Sequence, residues 1–185
     1  MDILALDLSK SSTGWARWSD GQPRPTYGSK TLGSELTARG DVYVNLHKLF
    51  LEVQLFGVPD HIVFESPQNP AHLNYPTNFM NDRLLIGIAE MVYYFGAMLH
   101  VRSVREVRNN DWWVPFNRRP MIKRRQGISV KDVTMARCRQ FGFRPRNSDE
   151  ADAIGLLDYE METFHKITPP WRQDEVLAPI IGRVA

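Results

Sequence analysis

Short apolar runs bounded by turn-forming residues give way along the chain to longer segments of helical periodicity, and this alternation predicts an α/β protein. The first run places Ile3, Ala5 and Asp7 on one side and Leu4, Leu6 and Leu8 on the other, as expected of a strand covered on both faces. Ser9 to Ser12 turn the chain, and Gly14 to Trp18 reads as an antiparallel return. Tyr27 to Leu32 follows the turn-rich segment Asp20 to Pro25 as a third strand. Leu36, Tyr43, Leu46, Phe50 and Val53 then line one face of a helix that Gly57-Val58-Pro59 ends. His61 to Glu65 is a fourth strand, Gln68 to Asn81 a loop, and a second helix opens near Asp82. Its stripes, Leu84, Ile88, Met91, Phe95 and Leu85, Ala89, Val92, make it apolar over a wide arc. One side of that arc faces the sheet, and the other faces either the core or a partner subunit. His100 to Val104 reads as a fifth strand.

This order of elements puts the first and fourth strands side by side in a mixed sheet. Residues 105–127, with Trp112 and Trp113 and no clean period, read as a loop with a short helix. Ser129 and Asp132 have capping-box spacing at the head of a helix reaching Phe141. Ser148 is the expected N-cap of the last helix, whose first turn holds Asp149, Glu150 and Asp152 and whose apolar stripe is Ile154, Leu157, Met161 and Phe164. From Thr168, prolines predict an extended tail or a strap against the surface. The organisation is thus one domain over 1–166, containing a basic substrate-binding stretch at 102–128, and a tail over 167–185.

Composition adds bounds to this picture. With 43% hydrophobic residues in 185, the chain can bury one sizeable core. Its start carries no charged leader, and no apolar run approaches the ~20 residues of a membrane span, so a cytoplasmic protein with no membrane partner is expected. A single cysteine, Cys138, excludes an internal disulfide and a thiolate metal cluster. The net charge of +2 conceals an asymmetry: Arg102 to Arg146 holds thirteen Lys and Arg against Glu106, Asp111 and Asp132, a local +10 that leaves the remainder at −8. A polyanion gripped by one face explains such a block, as does a solvated charged loop.

Two acids then acquire meaning. Asp7 lies in an apolar strand and Glu65 ends another, and an ionised carboxylate is costly to bury unless paired or bound to a cation. Asp7 therefore either caps a strand end or holds a cation. Adjacent first and fourth strands bring Asp7 and Glu65 together, and a last helix packed across the sheet presents Asp149 and Asp152, which share a helical face, to the same spot. Such a quartet repels itself unless divalent cations lie between. All-oxygen ligation favours magnesium or manganese over zinc, since the histidines are scattered. Two ions about 3.5–4 Å apart are suited to phosphodiester hydrolysis.

Asp7 in an apolar first strand before Thr13-Gly14, Glu65 closing the fourth strand, and Asp149-Glu150-Ala151-Asp152-Ala153-Ile154 opening the last helix together resemble the RuvC-type Holliday-junction resolvases. The resemblance runs from Ile3 to about Tyr159. It implies an RNase H-like mixed five-stranded sheet, the first three strands antiparallel and strands one, four and five parallel, flanked by helices. It also implies a homodimer paired through the helix around Leu84 to Phe95, and an endodeoxyribonuclease that uses two Mg2+ ions per site, with Mn2+ as a substitute, on branched DNA such as four-way junctions or forks. Asp7, Glu65, Asp149 and Asp152 would then be catalytic metal ligands, and Lys131 a catalytic contact to the scissile phosphate. Arg118, Arg119, Lys123, Arg124 and Arg125, together with Lys131, are expected to hold DNA phosphates. Tyr75, Phe79, Trp112 and Trp113 either stack on opened bases or pack in the core. Pro67-Gln68-Asn69 stands where the cellular enzymes place an aromatic residue after the second acid, and the Trp-rich basic stretch is longer than theirs; both features resemble phage versions. Two other readings stay open. The Asp7 to Thr13 turn also resembles the first phosphate loop of sugar kinases and actin-like ATPases, and a non-catalytic DNA-binding module would carry the same basic face.

Overall fold

The computed structural model of the protein describes residues 1–54, 56–67, 79–120 and 129–177. Strands β1 (Asp2–Asp7), β2 (Thr13–Ser19), β3 (Thr26–Lys30), β4 (His61–Glu65) and β5 (Ser103–Val107) form one sheet in the order β3-β2-β1-β4-β5. β2 pairs antiparallel with β1 and β3, while β4 pairs parallel with β1 and β5. This is the mixed RNase H-like sheet expected from the sequence, and helices α1 (Arg39–Gln54) and α2 (Phe79–Met98) lie on the crossovers that parallel pairing requires.

Side-chain alternation in β1 and β4 sorts the core into two layers. Leu4, Leu6, Ile62 and Phe64 face α1 and α2, packing against Leu46, Phe50, Ile88 and Phe95. Ile3, Ala5 and Val63 face the other way, toward α3 (Asn109–Asn117), α4 (Val130–Gln140) and α5 (Ser148–Thr163). Asp7 and Glu65 continue that second series, so the period of two alone aims both acids at the α3–α5 side. α2 buries both of its expected stripes in whole or part, and still exposes Ile86, Tyr93, Tyr94 and Met98 on its outer face.

Three elements differ from expectation. β5 starts at Ser103 instead of His100, because α2 runs to Met98 and His100 closes it in a left-handed conformation (φ 55°), with the Val101 N–H returning to the Gly96 carbonyl. α2 starts at Phe79, ahead of Asp82. The short helix expected within a loop is α3, and it belongs to the core, where Trp112, Trp113 and Phe116 are all buried. Nine residues with Pro115 among them are too few to display a period, yet three large aromatic side chains on one short helix bury enough area to hold it. Residues 103–117 of the expected basic stretch 102–128 are thus β5, α3 and the residue between them, an edge of the sheet and a part of the core. Arg118 to Pro120 lie beyond them on the surface, and 121–128 fall outside the described residues.

From Pro169 to Leu177 the chain is a strap. Pro170–Leu177 forms a 3-10 helix, and buried Trp171 donates its indole N–H to Asp158 at 2.8 Å. Among the described residues no helix is long and apolar enough to cross a membrane.

Candidate active site

The carboxyl ends of β1 and β4 meet the amino end of α5. Leu6 and Phe64 are the last paired residues of these parallel strands, and Asp7 and Glu65 follow them at matching positions. α5 reaches this edge because β2 permits it: a Cβ on Gly14 would lie 1.9 Å from the Asp149 carbonyl oxygen, so a glycine opposite Asp7 in the β1–β2 register lets the helix terminus sit on the sheet. The helix is fixed there by Asn147, the observed N-cap in place of Ser148. Its side chain accepts from the Glu150 N–H at 2.9 Å and donates to Ser29 and Ser12 at 3.1 and 3.3 Å. The turn before β2 is braced in the same way, Thr13 donating to the Ser9 carbonyl at 2.7 Å and accepting from the Ser9 N–H at 3.2 Å.

Asp7, Glu65, Asp149 and Asp152 consequently act on one another. Burial pushes the Asp7 carboxyl well above its ordinary range, and Asp152, Glu65 and Asp149 push it further. Glu65 is raised by burial, and Asp152 is raised to about 7 by burial and then by Glu65. The cation facing them is Lys131, at the head of α4. Its ammonium lies 3.8 Å from Asp149 and lowers both Asp7 and Asp152. Glu150, in the same turn as Asp149, takes no part: it is buried and held by Arg146 and Ser29. Among the described residues no three His, Cys, Asp or Glu side chains are spaced to hold one ion. The fit to a hard cation therefore rests on the donor set itself, which consists of desolvated carboxylate oxygens whose mutual repulsion one lysine relieves in part.

Asn109 and Thr134, which the sequence pattern did not single out, and the two tryptophans lie behind the acids. Asn109 donates to both Glu65 oxygens at 3.0 Å, and the buried Trp112 indole donates to Oε2 at 2.8 Å. Trp113 donates to Thr134 at 3.0 Å. Trp112 and Trp113 are therefore core residues and not base-stacking platforms. The signal available was the spacing of Asn109 and Trp112, which share a face once α3 is recognised as a helix. Phe79 is exposed at the start of α2, and Arg118 and Arg119 are exposed at the end of α3. Arg119 lines a cleft of about 280 Å³ with Asp132 and Val133 of α4's first turn. Tyr75, Lys123, Arg124 and Arg125 lie outside the described residues.

No protein-family model matches the chain, and no curated protein matches it in sequence. Solved structures do. RuvC of Thermus thermophilus in complex with a Holliday junction substrate superposes over 96% of this chain and 95% of its own, with a TM-score of 0.58 at 11% identity. A second T. thermophilus RuvC structure covers 91% of this chain and 99% of its own (TM-score 0.56, 16% identity). The yeast mitochondrial Holliday junction resolvase Ydc2 covers 95% of this chain and 80% of its own (TM-score 0.57, 10% identity). With the strand order, the parallel β1–β4 pair and the position of α5 already in hand, these superpositions establish that the chain has the fold of the RuvC-type Holliday-junction resolvases.

Proposed function

We propose that this protein is a magnesium-dependent endodeoxyribonuclease that cuts branched DNA, four-way junctions above all, by phosphodiester hydrolysis. One observation carries the reading: carboxylates from β1, β4 and α5 meet at one end of the sheet, desolvated and mutually repelling, with Lys131 as the cation beside them. Asp7, Glu65, Asp149 and Asp152 would hold two divalent ions, which supply neutralisation of phosphate charge and activation of the attacking water. Lys131, two-thirds exposed, presents its ammonium at the open side of Asp149, where a phosphate oxygen would meet it. Arg118 and Arg119, with Lys123, Arg124 and Arg125, supply further phosphate contacts on the same chain segment. The solved RuvC complex of the same fold holds a Holliday junction, which supports branched DNA as the partner. The exposed Ile86, Tyr93, Tyr94 and Met98 on α2 support a homodimer paired through that helix, an arrangement that sets two sites on one symmetric junction.

The test incubates the protein with labelled four-way junction, fork and linear duplex, with and without Mg2+, beside the Asp7→Asn variant. Paired nicks in the junction that need Mg2+, intact linear duplex, and a variant that binds without cutting are expected. Normal cutting by Asp7→Asn would reject the site, and equal cutting of all three substrates would reject selectivity for branched DNA.

A further inference from the structure

We infer that the head of α3 orients one of the ion-holding carboxylates: Trp112, with Asn109, fixes Glu65 directly. The inference rests on the site reading proposed above and adds to it a set of positioning residues. Glu65 receives two donors on Oε2, from Trp112 at 2.8 Å and Asn109 at 3.0 Å, while the same Asn109 amide reaches Oε1 at 3.0 Å. Three contacts from two side chains define the carboxylate plane and leave one lone pair, on Oε1, for a ligand. The donor is itself immobile. Trp112 is fully buried, and its ring lies so close to α5 that a Cβ on Gly155 would come within 2.5 Å of it.

Partners of this kind typically hold about 10–100-fold in metal affinity.

Isothermal titration of Mn2+ alone into the full chain tests this, with thermal melts recording folding. Asn109→Ala and Trp112→Phe are each expected to weaken Mn2+ binding about tenfold while remaining folded. The two combined should fall short of the product of the single effects, because both act through Glu65. Folded variants with wild-type Mn2+ affinity would overturn the inference, leaving the bonds as mere satisfaction of a buried indole. A wild-type chain that binds no Mn2+ would overturn the site reading first and the inference with it. Where Trp112→Phe fails to fold, Asn109→Ala, a half-buried residue at the head of α3, decides it.

Discussion

Asp152 and Asp158 sit on one helix less than two turns apart, and burial raises both carboxyls, yet their surroundings are opposite. Asp158 is met by the Arg172 guanidinium and the Trp171 indole, at 3.0 and 2.8 Å, so its charge is cancelled and its lone pairs are used. Asp152 is met by Glu65 and Asp149, with Lys131 as its relief. The carboxyl end of α5 thus has the chemistry of a structural anchor, and the amino end has the chemistry of a site awaiting positive charge. Strain of this kind has a use only if something binds there.

The largest effect expected from breaking this contrast is on cutting. Asp152→Asn removes an ion-holding oxygen and should lower Mg2+-dependent junction cleavage by about a thousandfold, several kcal/mol of transition-state stabilisation. The same change removes a repelling charge, so the metal-free protein should melt at a higher temperature than wild type. Asp158→Asn should do the reverse. It removes one of the two carboxylates on Arg172, which is 11% exposed and also pairs with Glu162, at a cost of about 2 kcal/mol in chemical unfolding, with cleavage by the folded fraction unchanged. Loss of cleavage in a well-folded Asp158→Asn protein would erase the distinction between the two ends.

Next in size is a pH effect. Asp7, Glu65 and Asp152 all have raised carboxyls in the folded chain, Asp152 to about 7, so the native state holds protons that the unfolded chain has released. Stability of the metal-free protein is then present in full at low pH and is lost as pH rises from the unfolded carboxylate range through about 7. The expected fall between pH 5 and 8 is on the order of 2 kcal/mol in urea unfolding. Asp158, also raised, contributes in the same direction. Asp152→Asn should flatten the slope and saturating Mg2+ at pH 8 should recover the loss; a stability that rises with pH would contradict the repulsion described.

The acidic half of this contrast could be read from the sequence; of the helix that supports it, only a short helix in a loop could be read, not its bounds or its place in the core. Asp7 and Glu65 each end an apolar run whose period of two fixes the direction of the side chain, and Asp149 and Asp152 follow a capping sequence, so topology alone brings them together. α3 gave no such signal. Its stability comes from Trp112, Trp113 and Phe116 packing on α5, contacts between residues distant in sequence that leave no local period. For the same reason the tryptophans stayed open between core packing and stacking on bases; they pack in the core, with their N–H groups facing Glu65 and Thr134. The anchor at Asp158 was equally hidden, because its partner Arg172 arrives from a proline-rich segment with no pattern of its own. The N-cap was displaced by one residue, since Ser148 and Asn147 are both good caps and the choice is made by Ser12 and Ser29, which accept the Asn147 amide.

That choice gives the smallest and sharpest test. Asn147 does two jobs with one side chain: its oxygen caps α5, and its amide ties the helix to the β1–β2 turn and to β3. Asn147→Asp keeps the oxygen and loses the amide, while Asn147→Ala loses both. If the amino end of α5 is held only as a helix, the Asn147→Asp variant should match wild type and the Asn147→Ala variant should lose about 1 kcal/mol. If the end is also registered against β1, where Asp7 must face Asp149 and Asp152, Asn147→Asp should melt near wild type yet cut more slowly, because the cap survives and the alignment does not. The negative charge that Asn147→Asp introduces would also lie close to the existing acids, so Asn147→Ser, which keeps a neutral cap and shortens the reach to Ser29, separates misalignment from repulsion. Slower cutting by Asn147→Ser with a near-native melt assigns the defect to register, since the helix itself is still capped.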